Sequence, residues 1–264
     1  MAHTIFENYV LANQIEDLYN SYLDLAQFCT VDNSLVGTPG MIKKINVYTA
    51  TNGTEDLAMG AGNSKDIEVS YTEKDYTILM AQNRFKYFDE QEMTDPMVVE
   101  TGLRHMAVDM FNHVNSKIFA EFNKATLEHP ASAPDFAAFA DAVALLNVKA
   151  QEALPGMGLF GLVNPKDMAK VRKALKDDLK YVEAFAKQGY VGTVAGVSLY
   201  TKADAAENTI VIANREAVTL FNKKGVEVEQ DRDGDIRQNT IWSRKYFLPA
   251  LTDATKAVKI TIGG

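Results

Sequence analysis

The sequence holds a single cysteine, Cys29, and only four histidines in 264 residues. One thiol excludes an internal disulfide framework and any multi-cysteine zinc site, and it fits a reducing compartment. The opening "MAHTIFENYV" has no basic segment followed by an apolar core, so it reads as no signal peptide. Runs long enough to span a bilayer are missing as well; "FAAFADAVALL" (136–146) is broken by Asp141. Basic residues are in deficit, 27 Lys and Arg against 35 Asp and Glu, for a net charge of −8. Duplex binding needs clustered cations that displace counterions, so this balance argues against it as the main role. His3, His105, His113 and His129 have no Ser or Cys nucleophile in a recognisable local motif, and no carboxylate pair is marked out by spacing. Cys29 reads as a small packing residue. What is present is ordinary for a folded chain, 47% hydrophobic and 23% charged, enough for one large domain or two small ones.

The pattern along the chain gives an order of parts. "NQIEDLYNSYLDLAQFC" (13–29) is an amphipathic helix with Ile15, Leu18, Tyr19, Tyr22, Leu23 and Ala26 on one face, Asn13 as N-cap and Glu16 in reach of it. "VDNSLVGTPG" (31–40) then breaks regular structure. "IKKINVYTA" (42–50) and "IEVSY" (67–71) read as strands around a long glycine-containing loop, either a loose surface loop or a projecting hairpin whose tip grips something else. Residues 95–126 carry the longest helical pattern, with Asp95 as N-cap, Pro96 in the first turn, and Val99, Leu103, Met106, Met110, Val114, Ile118 and Phe122 as its apolar stripe. A helix over 135–153 follows, with Phe136, Phe139, Ala140, Val143 and Leu146 inward, then a buried strand at 157–163. The next helix is capped by Asn164-Pro165, with Met168, Val171, Leu175, Leu179 and Val182 inward. "NTIVIANREAVTLFNKK" (208–224) reads as a strand and a short helix, "VEVEQ" (226–230) as the alternation of a strand, and "AVKITI" (257–262) as the closing strand.

Four stretches invite a sharper chemical reading. "DRDGD" (231–235) alternates aspartates as a calcium loop does, but Gly234 falls at loop position 4 where position 6 is needed, and position 12 is Trp242. Asp233-Gly234 is instead a hairpin signal, with Gly234 supplying positive φ. His105, Asp109 and His113 share a helix face but lack a third strong ligand, which leaves a polar stripe. The glycines of "GYVGTVAGVSLYT" (189–201) match no nucleotide fingerprint, because a strand follows them where a helix is required. The lysines at 166, 170, 173, 176 and 180 are interleaved with Asp167, Asp177 and Asp178 and read as a solvated face.

The order of parts resembles the major capsid proteins of tailed bacteriophages, with the Hong Kong 97-type fold. The resemblance covers nearly the whole chain. It rests most on the closing stretch: a glycine-bounded strand, "REA" (215–217), the "RDG" hairpin (232–234), "YF" (246–247) and a final strand. "EMTDPMVVETGLRHMAVDMFNHVNSKIFAEFNKAT" (92–126) resembles the stretch that leads into and forms that family's spine helix. The resemblance implies an α+β chain with an N-terminal arm (1–36) and a peripheral domain (37–130 and 201–245). The latter would hold the spine helix (95–126), the late hairpin (226–246) and an extended β-hairpin loop (42–71), and an axial domain would take 131–200 and 246–264.

What the resemblance implies for function is a structural subunit. It would self-assemble into pentamers and hexamers of an icosahedral or prolate head that encloses double-stranded DNA without sequence-specific binding. Contacts between subunits are expected from Asn52, Glu55, Asp56, Lys65 and Asp66 on the extended loop, and from Arg232, Asp233, Gly234, Asp235 and Arg237 at the late hairpin. Arg232 and Arg237 would face carboxylates of neighbours. No catalytic residue, cofactor, metal or membrane contact is implied. The sequence starts at Met1 without a charged helical scaffolding segment ahead of the arm, so a separate scaffolding protein is expected, with a portal protein and decoration proteins as further partners. The subunit would reside in the virion and assemble in the host cytoplasm. Some relatives join a loop Lys to a neighbour's Asn; nothing in the spacing of Lys65 and Asn239 demands such a bond, and a non-covalent shell is expected. Two other readings stay open: an encapsulin-type cellular nanocompartment shell, and a soluble α/β enzyme with an unrecognised site.

Overall fold

A computed structural model describes residues 24–51, 53–146, 158–176 and 192–263. After a 3-10 turn at Leu25–Phe28, the first elements are β1 (Thr30–Asp32), β2 (Ile42–Ala50), β3 (Val69–Thr77), β4 (Leu79–Phe88), α1 (Asp89–Thr94) and α2 (Met97–Phe122). Then come β5 (Leu127–Ala131), α3 (Phe136–Leu145), β6 (Leu159–Val163), α4 (Pro165–Ala174), β7 (Thr193–Val194), β8 (Val197–Thr201) and β9 (Thr209–Ala213). The chain closes with β10 (Val218–Asp233), β11 (Gln238–Leu251) and β12 (Ala257–Ile262). These strands form a four-stranded sheet, β1-β10-β11-β4, a six-stranded sheet, β5-β12-β9-β6-β8-β7, and a separate two-stranded ribbon, β2-β3.

Local chemistry explains most boundaries. Asp95 stands one residue ahead of Pro96, the N-cap of the spine helix α2, and its side chain accepts the Met97 N–H at 3.0 Å. Met106, Met110, Val114, Ile118 and Phe122 are buried along the helix, whereas Leu103 is 42% exposed. Asn164 caps α4 by accepting from the Lys166 N–H, with Pro165 in the first turn. Asp135 does the same for α3 through the Ala138 N–H.

The structure corrects several sequence expectations. Asp24 is extended (φ −73°, ψ 108°), so the helix expected over 13–29 does not pass through it; its earlier part lies outside the described residues. The ribbon strand expected at 67–71 runs over Val69–Thr77, because each residue from 42 to 50 finds an antiparallel partner there. The spine helix ends at Phe122, and Leu127–Ala131 leaves it as a parallel strand on β12. That strand was hidden by Pro130, which an edge position tolerates. Phe136 points outward, 55% exposed, because the Asp135 cap turns Ala138, Phe139 and Ala142 toward the core instead. No helix forms in 214–224: Asn214 Oδ1 accepts the Glu216 N–H in a turn, and Val218 and Leu220 enter β10 with strand alternation.

Sheet membership differs from the expected two-part split at its edges. Residues 127–131 and 209–213 belong to the six-stranded sheet, and β11 stays in the four-stranded sheet up to Leu251. The six-stranded sheet has its own core, in which Phe139, Val171, Val197, Ile210, Ile212 and Ile260 are fully buried. A second core joins the two larger sheets. There Phe160 packs on Phe28 (4.7 Å between ring centres) and edge-on to Phe122 (5.5 Å), with Leu25, Ile118, Val218 and Phe247 around them.

Candidate functional site

The ribbon β2-β3 is the first surface that stands out. Its register runs from Ile42 opposite Thr77 to Ala50 opposite Val69, and it pairs with neither of the other sheets. Its base is held: Ile45 and Tyr76 pack on Leu35, Ile78, Phe221 and Leu248, and the Tyr76 hydroxyl donates to the Leu251 carbonyl at 3.3 Å. Away from the base nearly every residue of β3 is exposed, with Val69 and Tyr71 both at 64%.

The loop at its tip is internally knitted. The Thr51 N–H donates to the Glu68 carbonyl at 3.0 Å, and the Glu68 N–H returns to Thr51 Oγ1 at 2.9 Å. Glu55 accepts from the Ser64 N–H, from Ser64 Oγ at 2.8 Å and from the Lys65 N–H at 3.3 Å. These bonds, the Ser64 N–H foremost, hold the Glu55 carboxyl below the usual carboxylate range. At Gly53 a side chain has no room: a Cβ would lie 2.8 Å from the Ile67 nitrogen and 2.9 Å from the Asp66 carbonyl carbon. Of the loop residues expected to meet neighbours, Glu55 is committed to this scaffold, and Asp56, Lys65 and Asp66 are exposed. Asn52 lies outside the described residues. Met59, Leu57 and Ile67 add exposed apolar surface that polarity of sequence alone did not flag.

The tip of the β10–β11 hairpin is the second surface. It is a four-residue loop, 234–237, between Asp233 and Gln238. The hairpin expected at Asp233-Gly234 is present, but the positive φ expected at Gly234 is not; that conformation falls on Arg237, at 53°. The reason is loop length, since longer hairpin loops turn through right-handed residues first and need a left-handed one only at the end. Asp233 Oδ1 accepts the Asp235 N–H at 3.0 Å, a local turn bond that has no need of an ion.

Both tip arginines have partners within the chain. Arg232 Nη2 reaches Asp89 Oδ2 at 2.6 Å, Asn239 Nδ2 donates to Asp89 Oδ1 at 2.7 Å, and Arg237 Nε meets Glu90 Oε1 at 2.7 Å. The Arg232 guanidinium beside it is the main cause that keeps the Asp89 carboxyl below its ordinary value. Asn239 is itself buried. Sequence reasoning missed Asp89 and Glu90; the pairing of β11 with β4, Gln238 opposite Phe88, brings them there.

The remaining chemical suspects have structural roles. Cys29 is buried, its thiol donates to the Leu25 carbonyl at 3.4 Å, and burial pushes its pKa up to about 12, which suits no nucleophile. Asp109 accepts from Asn83 Nδ2 at 3.2 Å while His113 is exposed. Among the described residues no cluster of three or more His, Cys, Asp or Glu is placed to hold a metal, and no helix is long and apolar enough to cross a membrane. Ala195 and Gly196 form the tight turn between β7 and β8. Lys166 pairs with Glu207 and Lys170 with Asp167, so part of the basic helix face is neutralised. One further feature is an apolar groove of about 410 Å³ between α2 and the β10–β11 hairpin.

No family model matches the chain. A curated protein described as the major capsid protein of Staphylococcus phage phiMR11 is 26% identical over 270 residues, covering 96% of this chain and 92% of its own length. Among solved structures, a chain of Mycobacterium phage Che8 superposes with a TM-score of 0.68 at 19% identity, covering 86% of this chain and 89% of that one. A chain of the bacteriophage PhiM1 mature capsid gives 0.69 at 11% identity, covering 91% and 87%. The architecture is that of the Hong Kong 97-type capsid fold.

Proposed function

We infer that the chain is a bacteriophage major capsid protein, a structural subunit that assembles into the shell of the virion. The observation that carries this reading is the ribbon. An isolated two-stranded hairpin is marginal in water, yet here one strand of the ribbon is exposed almost throughout, and apolar residues at 42, 57, 59, 67, 69 and 71 face solvent. Such a surface calls for a covering partner. In a chain with this fold, and with a capsid protein as a relative along nearly its full length, the partner is another copy.

The finer assignments follow as part of the same proposal. The six-stranded sheet with α3 and α4 forms the axial domain at the centre of pentamers and hexamers, and the four-stranded sheet with α2 forms the peripheral domain. Asp56, Lys65 and Asp66 at the ribbon tip, with Asn52, reach a neighbour, while Glu55 stiffens the loop that carries them. Arg232, Asp233, Gly234, Asp235 and Arg237 contact an adjacent capsomer. The two arginine side chains remain 56% and 63% exposed despite their intrachain pairs, so each can accept a second carboxylate. Exposed pairs contribute at most about 1 kcal/mol each, and a shell gains from their number. Buried Asn239 is held by Asp89, which favours a shell without the covalent bond to Lys65. Scaffolding, portal and decoration proteins, enclosed double-stranded DNA and assembly in the host cytoplasm complete the reading.

Electron microscopy and light scattering of the purified full chain test it. Closed particles built of five- and six-fold rings are expected. A sharp monomer peak from the purified full chain under native conditions, with no closed particles in micrographs, would end the reading. Nucleic-acid content separates a phage head from an encapsulin-type shell, which encloses cargo protein.

A further inference from the structure

The four-stranded sheet has two edges of opposite charge. β4 ends it on one side. On the other side β1 pairs with 219–221 alone, so among the described residues no strand lies outside β10 from 227 to 233. β4 holds Arg84 and Lys86 and no carboxylate. That stretch of β10 holds Glu227, Glu229, Asp231 and Asp233 against one cation, Arg232.

These charges share one face. Asn83 Nδ2 donates to the Met106 carbonyl of α2 at 2.8 Å, and Val228 and Ser243 line the groove beside that helix. Strand alternation therefore sends Arg84, Lys86, Glu229 and Asp231 to the opposite face, and all four are exposed. The register sets them in rows: Arg84, Trp242 and Glu229 in one, Lys86, Thr240 and Asp231 in the next. Asp89 and Glu90, just beyond β4 in the chain, are taken by Arg232 and Arg237. Among the described residues neither Arg84 nor Lys86 has an acidic partner, and Asp231 has no cation. Glu229 pairs with Arg244 and still keeps 62% of its side chain exposed.

Edges of like charge hold copies apart, whereas edges of opposite charge attract one another. We propose that the β4 edge of one copy lies against the β10 edge of a second copy, with Arg84 and Lys86 facing Glu229 and Asp231. The strands meet without a slip. β4 and β10 both run antiparallel to β11, so they point the same way. A copy displaced sideways along the rows sets each cation level with a carboxylate. The two cations are two residues apart and so are the two carboxylates, about 7 Å in each case. The contact joins unlike surfaces, so it is head-to-tail, repeats from copy to copy, and closes into a ring where successive copies are rotated. It rests on the shell reading for the identity of the partner as another copy.

Cysteines at the two edges test the contact in the full chain. Within one copy, two inter-strand steps hold positions 86 and 231 about 10 Å apart, beyond the roughly 7 Å that a disulfide can span. Lys86→Cys with Asp231→Cys therefore bridges only between copies. Cys29 can remain, since it is buried. Oxidised particles of the double variant are expected to give a ladder of disulfide-linked multimers on a non-reducing gel, and either substitution alone should leave monomer. Intact particles without a ladder overturn the proposal and leave the shell reading standing. Charge exchange is the second readout. Arg84→Glu with Lys86→Glu, and separately Glu229→Lys with Asp231→Lys, should each lower particle yield roughly tenfold, while urea unfolding of the dissociated subunit barely moves. All four substitutions in one chain should recover most of the parent yield. Parent-like yield from either reversal overturns the proposal, as does a folded fourfold variant that fails to recover. If the parent chain forms no particles, the shell reading falls, and oxidation of the concentrated soluble double variant still decides the contact: a ladder supports it, and monomer alone overturns it.

Discussion

The six-stranded sheet and the β2-β3 ribbon are both β-structure with regular hydrogen bonding, yet they are stabilised in opposite ways. In the sheet, β9 reads T-I-V-I-A and every residue from Ile210 to Ala213 is buried, sandwiched between β12 and β6. In the ribbon, β3 reads V-S-Y-T-E-K-D-Y-T and is exposed almost throughout. One buries its side chains within the subunit; the other carries valine, isoleucine and tyrosine to the outside. On the proposed reading the contrast separates residues that specify the subunit from residues that meet its neighbours, and substitutions can test that separation.

The largest effect is expected in the sheet. Phe139→Ala removes a fully buried ring from the core between α3 and the sheet, at a cost of about 3–5 kcal/mol. Ile212→Ala should cost about 2–5 kcal/mol for the same reason. Urea unfolding of the dissociated subunit measures both. Tyr71→Ala, on the ribbon, should change subunit stability by less than about 0.5 kcal/mol and still abolish most assembly. Similar unfolding midpoints for the sheet and ribbon variants would dissolve the distinction.

A sharper version uses Gly53→Ala. The added methyl meets the backbone at Ile67 and Asp66, so the loop closure must shift even though the substitution is small. Assembly yield should fall several-fold while the circular dichroism spectrum of the subunit stays unchanged. Parent-like assembly would show that the shape of the ribbon tip does not matter to the neighbour.

How much of this could be read beforehand follows from the range of each signal. The strand at "VEVEQ", the Asn164-Pro165 cap and the apolar stripe of α2 from Met106 to Phe122 are local, and each sits where its pattern pointed; Leu103, in the same stripe, is exposed. Strand β5 was hidden because Pro130 argues against a strand unless the edge position is known. The stretch from Val218 to Lys224 looked helical in isolation, and the pairing with β11 makes it strand. The latch at the hairpin tip was invisible for the plainest reason: Asp89 and Arg232 are 143 residues apart, and nothing near either names the other.

That latch gives a weaker, pH-dependent effect. Asp89 has a lowered pKa in the folded chain, chiefly through its bond from Arg232. Its contribution is therefore complete above the unfolded carboxylate value, about 3.9, and is lost as pH falls through the lower folded value. Asp89→Asn should melt slightly below the parent at neutral pH, and the two curves should converge once the pH drops well under about 4. A difference that persists unchanged in acid would mean that shape, and not charge, holds the tip to α1.

The smallest effect is expected at Gly234. A two-residue turn would make Gly234→Val cost about 1 kcal/mol or more, because the side chain would be forced into positive φ. Here Gly234 has ordinary φ and open space around its Cα, so the change should stay within about 0.5 kcal/mol. The strained position is Arg237. Arg237→Gly relieves roughly 1 kcal/mol of backbone cost and gives up an exposed pair with Glu90 of at most about that size, so the subunit should again be nearly indifferent. Assembly need not be. If the tip meets a neighbouring capsomer, Asp233→Lys with Asp235→Lys should shift the salt concentration at which particles form while urea unfolding of the subunit barely moves. An assembly profile that ignores both charges would make the hairpin tip part of the subunit's own architecture, and would leave the ribbon as the surface on which contact depends.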